Sequence, residues 1–466
     1  MAAAEPKSSA SPPNPDGSPQ GKATPSTGQS RLRRILALAL PIVGGMISQN
    51  LLNLVDTFMV GRLGDAALAG VGLASFANFL TLALITGLSS GVQAISARRL
   101  GEGKSEQTAL SLNGGLLLAL GLGAPLSVVI YYGASTLFPL LVDQQNVVDV
   151  GVGYWQMRAL SIVAVGINFS FRGFWNGVGE SWRYFITLLV MHLSNIAISY
   201  ALIFGVWGMP EMGADGAGLG SSIATFLGTL VYFVQGLARA RPLGFLRGLP
   251  SREVLINLLR LSTPAGIQQL FFAGGMTAFF TIVGRVGTRE LAVSQVLVNL
   301  LLLAVLPGMG FGMAAGSLVG QALGRSTEQD ARRWGWDVAK LAVGVIAILV
   351  IPGLLYPQLL LRPFLTDPET LALGVTPLRV ICVGLPIDTL GLVLMHGLIG
   401  AGDAKRTMLV SVATQWIVAI PLAYVVGPVV GLGLVALWLS YMSSRILNTG
   451  VFAAMWQRSG WTAIRV

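Results

Sequence analysis

The sequence contains few charged residues, which indicates that the protein is not solvated mainly by water. Only 11% of the 466 residues are Asp, Glu, Lys or Arg, whereas 53% are hydrophobic. A soluble domain usually devotes about 25% of its residues to charge, so a protein solvated mainly by water is excluded. Apolar runs of about 20 residues, long enough to cross a bilayer as helices, recur from Ile35 onwards. The sequence therefore predicts an all-α integral membrane protein.

Cysteine and histidine are nearly absent. The lone Cys382 cannot form an intramolecular disulfide, and His192 and His396 are too few for a metal cluster. We therefore expect no metal and no cofactor. An intramembrane enzyme would need a nucleophile with a base, or a metal cluster; the sequence shows neither, so we expect no enzyme. The net charge of +10 does not indicate a nucleic-acid partner, because the basic residues lie in short loops rather than in one patch.

The apolar runs predict twelve transmembrane spans in two lobes. Residues 1–30, rich in Ser, Pro, Gly and Ala, are predicted to be a disordered tail. An amino lobe (31–238) and a carboxy lobe (254–466, with a short C-terminal tail) are joined by a basic linker (239–253). The predicted spans are 35–60, 66–94, 106–133, 147–173, 183–206, 216–238, 254–284, 290–318, 335–361, 370–400, 407–427 and 431–455.

Basic residues fall mainly in the loops on one side of these spans. The opposite loops offer only Arg62, Arg285, Arg289 and Arg362. Loops rich in Lys and Arg stay in the cytoplasm. Both termini are therefore predicted to be cytoplasmic, and the basic linker with them.

The chain repeats itself with an offset of 223 residues. Pro41 matches Pro264, and Val60-Gly61-Arg62 matches Val283-Gly284-Arg285. The register holds to Gly177-Val178-Gly179-Glu180, which matches Gly400-Ala401-Gly402-Asp403; after one loop the offset becomes 213. Six spans per half make the halves parallel repeats, a design used for alternating access around a central cleft. The open alternative is a repeat kept only for packing.

A polar stripe follows the first span. Gln49, Asn53 and Asp56 are spaced i, i+4 and i+7, which places them on one helical face. A charge at the centre of a membrane helix costs roughly 2.5–3.5 kcal/mol, so this face is expected to look into a wet cavity. A carboxylate there can gain and lose a proton during a transport cycle. Alternatively, Asp56 lies near the outer headgroups or pairs statically with an arginine.

Asp388 is the second acid deep in an apolar span. Its repeat position is Val165 (388 − 223), and that of Asp56 is Phe279 (56 + 223). A symmetric scaffold does not require this difference, so we favour an ion-coupling role for Asp388 over a satisfied structural carboxylate.

Several other polar residues are candidates for the cleft or for bonds between helices. The candidates are Gln268, Gln269, Gln295, Asn299, Asn168 and Gln415. Arginines within spans, at Arg158, Arg379 and Arg445, have no assigned role because snorkelling or an acidic partner explains each equally well.

The first span carries a family resemblance. It reads Pro41-Ile42-Val43 and then Gln49-Asn50-Leu51-Leu52-Asn53-Leu54-Val55-Asp56-Thr57-Phe58-Met59-Val60-Gly61-Arg62-Leu63-Gly64. This stretch, with the repeated Val-Gly-Arg and the segment from Arg172 to Glu180, resembles the multidrug and toxic compound extrusion (MATE) family over residues 31 to about 455. The resemblance implies a V-shaped exporter of twelve helices, driven by protons or sodium ions.

The resemblance also implies site residues. Pro41, where the helix can bend, and Gln49 and Asp56 match a proton-responsive site of the family, and Asn195 resembles another member of it. An acid that one branch carries one turn later is Ser199 here. Asp388 resembles the tenth-helix aspartate of the sodium-coupled branch. Its glutamate companion is missing, because the matching stretch reads Phe271-Phe272-Ala273-Gly274-Gly275.

The expected function is therefore a secondary antiporter that exports amphipathic, often cationic, drugs or metabolites in exchange for protons, with sodium ions as the alternative. We expect a monomer in the lipid bilayer of the cell membrane, specifically the bacterial inner membrane. The alternatives are a flippase for lipid-linked precursors, a class that usually has a strongly basic cavity, and an intramembrane enzyme. The cleft is expected to hold acids, which favours export of cations.

Overall fold

The computed structural model describes residues 28–458 and 460–464, and this part of the chain forms helices and no strand. Most of the predicted tail lies outside the described residues, and the first helix already begins at Gly28. The α-helices are α1 (Gly28–Gly61), α2 (Asp65–Thr86), α3 (Leu88–Gly101), α4 (Leu110–Leu137), α5 (Gln145–Ala159), α6 (Ile162–Val178), α7 (Ser181–Phe204), α8 (Gly213–Gln235), α9 (Arg252–Val286), α10 (Thr288–Gly324), α11 (Glu328–Leu349), α12 (Ile351–Leu355), α13 (Pro357–Leu361), α14 (Pro368–Gly400), α15 (Ala404–Ala413), α16 (Ile420–Tyr424) and α17 (Gly433–Gln457).

These helices form the twelve predicted membrane segments. In the described residues, nine helical segments are long and apolar enough to span a bilayer. Helices α5 and α6, bent by 53° at a short break, form a tenth. Helices α11 and α17 complete the set; α11 is less apolar because its first turns carry charged side chains. The prediction of an all-α membrane fold with two six-helix halves is confirmed.

Side-chain caps define the starts of two carboxy-lobe helices. The Ser251 hydroxyl accepts a hydrogen bond from the backbone N–H of Val254 at the start of α9. The Asp367 carboxylate accepts one from the N–H of Thr370 at the start of α14, at 3.0 Å. Each cap satisfies one of the free N–H groups of a helix start. The hydrogen bonds from Thr370 also lower the pKa of the Asp367 carboxyl below its usual value.

The sequence repeat is visible as a repeated turn. Gly179 ends α6 with φ 90°, and its repeat position Gly402 (179 + 223) has φ 102° before α15. This left-handed conformation favours glycine, which has no Cβ to clash. After each glycine, an acid and the basic residue three positions later form an ion pair: Glu180 with Arg183, and Asp403 with Arg406.

The two lobes touch at the end of the bundle where α1 starts and α17 ends. There the backbones of Gly101 and Gly324 approach so closely that a Cβ on either would clash with the other helix. Polar contacts reinforce this end. Arg31 forms ion pairs with Asp330 (2.6 Å) and Asp337 (2.7 Å) of α11, so the amino lobe is held to the carboxy lobe here.

The predicted linker, residues 239–253, is folded onto the amino lobe. Phe245 is fully buried and packs edge-on against Phe171 of α6. The side-chain amide of Asn113 donates a 3.1 Å hydrogen bond to the carbonyl of Gly244. The segment is therefore part of the amino-lobe core rather than a free tether.

Candidate functional site

A cavity of about 650 Å³ lies inside the amino lobe. Helices α1, α2, α3, α5, α6, α7 and α8 line its wall, and α9, α10 and α14 of the carboxy lobe close one side. This volume lies within the range of small-molecule sites, roughly 300–1,000 Å³.

The polar stripe of α1 faces this cavity. Gln49, Asn53 and Asp56 all line it. The Gln49 amide donates a 3.2 Å hydrogen bond to the Asn53 side-chain oxygen, as expected for two residues one helical turn apart. The structure thus brings these three predicted residues together. Pro41 lies earlier in the same helix, which runs unbroken from Gly28 to Gly61.

Asp56 carries an unsatisfied carboxylate. Its Oδ1 is buried and has no hydrogen-bond partner in the described part of the chain. Arg158, also on the cavity wall, interacts with Asp56 electrostatically. Among the described residues, however, Asp56 forms no ion pair of 4.0 Å or less with Arg158. A buried, unpaired acceptor costs free energy, so a proton or a bound cation at this position is stabilised.

Helix α7 packs beside α1 and contacts its polar stripe. The His192 ring nitrogen Nε2 lies 3.1 Å from the Gln49 amide oxygen, and His192 is almost fully buried. Asn195, predicted as a site residue, lines the cavity and donates to the Ser221 hydroxyl at 2.9 Å, while Ser199 donates to its side-chain oxygen. Sequence reasoning missed His192, although its spacing from Asn195 and Ser199 (i, i+3, i+7) was a readable signal.

Asn168 on α6 both lines the cavity and joins helices. Its amide donates a 3.1 Å hydrogen bond to the carbonyl of Thr225 on α8, and its oxygen accepts one of 2.8 Å from Thr229. The two roles that the sequence left open are therefore both present.

Asp388 is not part of this cavity. It is buried in the carboxy lobe, where its two oxygens lie 2.8 and 3.0 Å from Nη2 of Arg445 on α17. The structure therefore does not place Asp388 near Asp56. Asp388 has the geometry of a paired carboxylate, and its partner is Arg445.

The other predicted cleft residues divide into three groups, which line the cavity, join helices or are exposed outside the cavity. Gln269 lines the cavity, whereas Gln268 donates to the Ser411 hydroxyl at 3.0 Å and so joins α9 to α15. Gln295 and Asn299 are exposed on α10 and do not line the described cavity. Gln415 donates to the carbonyl of Phe272.

A family model, MatE, matches residues 41–201 and 264–425, which together are more than half of the chain. The chain belongs to the MatE family. Among similar proteins, this MatE-family chain is 27% identical over 431 residues to a probable multidrug resistance protein NorM of Bradyrhizobium diazoefficiens, covering 89% of this chain and 91% of the relative. A NorM protein of Thermotoga maritima is 25% identical over 436 residues, covering 90% of each.

Solved structures agree with the fold. An outward-facing multidrug resistance MATE family transporter of the MOP superfamily superimposes with a TM-score of 0.85 at 22% identity, covering 93% of this chain and 97% of that one. A MOP superfamily transporter from Pyrococcus furiosus, described as having a binding pocket of reverse polarity, superimposes with 0.83 at 22% identity, covering 92% and 95%. The MatE-family protein is thus a multi-pass membrane transporter of a multidrug efflux family and not an enzyme.

The charges on the cavity wall of this MatE-family protein differ from expectation. The cleft between the lobes was expected to hold acids, and this cavity of the amino lobe holds one acid together with basic groups. Its lining contains one carboxylate, Asp56, and two guanidinium groups, Arg158 and Arg172. From the sequence, Arg158 had no assigned role, and Arg172 belonged only to the stretch that resembles the family. Arg379, by contrast, is exposed and donates to the carbonyl of Leu354.

Proposed function

We propose that this protein is a secondary antiporter that exports amphipathic, often cationic, small molecules in exchange for protons. The observation that carries the proposal is the unpaired, buried carboxylate oxygen of Asp56 in a cavity large enough for a drug-sized molecule. The multidrug resistance relatives support the same class of substrate.

The mechanism rests on competition at Asp56. A protonated carboxyl is neutral and no longer attracts a cation, whereas the ionised form does. Proton binding therefore releases a cationic substrate, and substrate binding favours loss of the proton. Transport also requires the contacts of Arg31 with Asp330 and Asp337 to break, because the cavity cannot open to that end of the bundle while the lobes are joined there.

The surroundings of Asp56 support a proton over a sodium ion. A sodium ion would need several oxygen ligands beside Asp56, and two amide oxygens on the same cavity wall each already accept a hydrogen bond. The Asn53 oxygen accepts from Gln49, and the Asn195 oxygen accepts from Ser199. In the carboxy lobe, Arg445 already neutralises Asp388. No bound cofactor is needed for this cycle.

We further propose that the protein works as a monomer in the bacterial inner membrane, with both termini in the cytoplasm. The bias of basic residues towards the loops on the side of the termini supports this orientation. With this topology the described cavity serves the outward-facing state, because the lobes are joined on the cytoplasmic side.

The test is transport in proteoliposomes with an imposed proton gradient. Wild-type protein is expected to move a fluorescent cationic dye against its concentration gradient, without sodium. Asp56→Asn, which cannot ionise, is expected to lose gradient-driven transport. Glu369→Gln, which changes an exposed surface carboxylate, serves as the control. Unchanged transport by Asp56→Asn, or transport that needs a sodium gradient, would contradict the proposal.

A lipid-linked precursor flippase is the alternative, and the two arginines on the cavity wall are the observation in its favour. A cavity of about 650 Å³ suits a drug-sized molecule better than a glycosylated lipid headgroup. Translocation of a lipid-linked sugar without any ion gradient would favour the flippase.

A further inference from the structure

We infer that Arg172 forms an anion-binding subsite in the cavity, which takes the carboxylate of an acidic or zwitterionic amphiphile. The inference rests on the proposed transport function and extends its substrates beyond simple cations.

Arg172 is placed at the meeting of the two lobes. It lies on α6 and lines the cavity. Its guanidinium contacts the Met313 sulfur of α10 at 3.1 Å. The same group lies 5.3 Å from the centroid of the Phe169 ring and 5.5 Å from that of Tyr184. Aromatic rings therefore flank the cation, and a flat aromatic substrate finds apolar walls beside it.

The guanidinium has spare donors. Its Nε is buried and has no hydrogen-bond partner in the described part of the chain. The contact with the methionine sulfur is a weak hydrogen bond, because a thioether is a poor acceptor. Within the described residues, no carboxylate lies within 4.0 Å of Arg172.

The charge balance of the wall leaves Arg172 uncompensated. Asp56 and Arg158 interact with each other electrostatically, and these two and Arg172 are the carboxyl and guanidinium groups of the lining. With Asp56 ionised, these three groups carry one negative and two positive charges, which is a net charge of +1. A partly buried arginine without an anionic partner is costly in a membrane protein, and a bound anion would offset that cost.

An arginine suits a carboxylate because its planar group presents two parallel N–H donors. The attraction is stronger in a partly desolvated cavity than in water. The edge of the Arg172 guanidinium that does not contact Met313 is therefore suited to one carboxylate of a substrate.

The anion subsite is separate from Asp56. Tyr184, which flanks Arg172, packs against Gly45 of α1. Asp56 lies eleven residues further along α1, which is roughly 16 Å at 1.5 Å per residue. A carboxylate at Arg172 therefore leaves the proton site free. A long zwitterion reaches both groups, and a shorter one uses Arg172 alone.

The test compares two dyes that differ only at one carboxyl group. Rhodamine 110 has a free carboxylate, and rhodamine 123 is its methyl ester. Binding of each to purified protein is measured by fluorescence polarisation at pH 7. Arg172→Gln is expected to weaken binding of the acid at least about tenfold and binding of the ester less than about twofold. Arg172→Lys is expected to retain part of the preference, because it keeps the charge but loses the planar donor pair.

Arg379→Gln, which removes an exposed arginine outside the cavity, is expected to leave both affinities unchanged. An equal loss for acid and ester in Arg172→Gln would show a merely structural role and overturn the inference. If Arg172→Gln does not fold, the two dyes are compared on wild-type protein. Binding of the ester without binding of the acid would also overturn the inference. Failure of the wild type to transport the ester under a proton gradient would instead contradict the proposed function.

Discussion

The two lobes share one helical scaffold but fill their interiors differently. In the amino lobe, Thr225 of α8 lines the cavity, and Gly228 follows three residues later on the same helix. At the repeat positions in α17 (225 + 213 and 228 + 213), the carboxy lobe has Trp438 and Tyr441. These two rings pack against Phe279, which is the repeat position of Asp56. The glycine turns thus preserve the scaffold, while at these positions aromatic rings fill space in the carboxy lobe.

The acids of the two lobes differ in the same sense. Asp56 faces an open cavity with one oxygen unsatisfied, whereas Asp388 is held by Arg445. The position of Arg445 corresponds to Tyr232 in the amino lobe (232 + 213), so the amino lobe has no cation at this position. A mobile proton needs a carboxylate without such a partner.

The largest effect is expected from breaking the carboxy-lobe pair. Arg445→Met leaves Asp388, which is 5% exposed, buried without its partner. Loss of one member of a buried ion pair costs about 3–5 kcal/mol of the free energy of unfolding. Asp56→Asn is expected to cost almost nothing, because Asp56 has no ion-pair partner to lose. The measurement is thermal unfolding of both variants in the same detergent, monitored by tryptophan fluorescence.

A double variant sharpens this contrast. Asp388→Leu with Arg445→Met replaces the pair by apolar groups and is expected to recover most of the lost stability. Equal destabilisation by Arg445→Met and Asp56→Asn would remove the distinction between a structural and a functional acid.

A smaller effect is expected from making the amino lobe solid. Thr225→Trp copies Trp438 into the cavity and is expected to weaken dye binding at least about tenfold, or about 1.4 kcal/mol, by occupying substrate volume. Leu230→Trp adds a similar ring to the same helix on an exposed face, and we expect it to leave binding unchanged. Binding of the cationic dye is measured by polarisation on each variant. Normal affinity in Thr225→Trp would place the substrate elsewhere.

Periodic features were predictable from the sequence, and long-range partners were not. Twelve spans, the repeat and the shared face of Gln49, Asn53 and Asp56 follow from helical geometry within one segment. The partner of Asp388 is 57 residues away, and no local spacing identifies Arg445. The packing of one helix against another determines contacts between distant residues such as these.

The charge of the cavity was missed for the same reason. Arg172 follows Phe169-Ser170-Phe171 in an apolar span, and the sequence does not say which way its side chain points. The bend between α5 and α6 and the packing of the lobes bring it to the wall beside Met313. The folded linker is a similar case, because the burial of Phe245 depends on Phe171 of a distant helix.

The smallest effect tests a contact that both lobes share. His192 contacts Gln49, and at the repeat positions Gln415 (192 + 223) donates to the carbonyl of Phe272 (49 + 223) at 3.2 Å. His192→Gln copies the carboxy-lobe residue and keeps a donor for Gln49, so we expect dye transport within about twofold of wild type. His192→Leu loses the hydrogen bond, worth about 0.5–1.5 kcal/mol, and is expected to lower dye affinity roughly two- to tenfold. If His192→Gln is impaired as much as His192→Leu, the histidine does more than hold Gln49, and the amino lobe differs from its repeat at this contact as well.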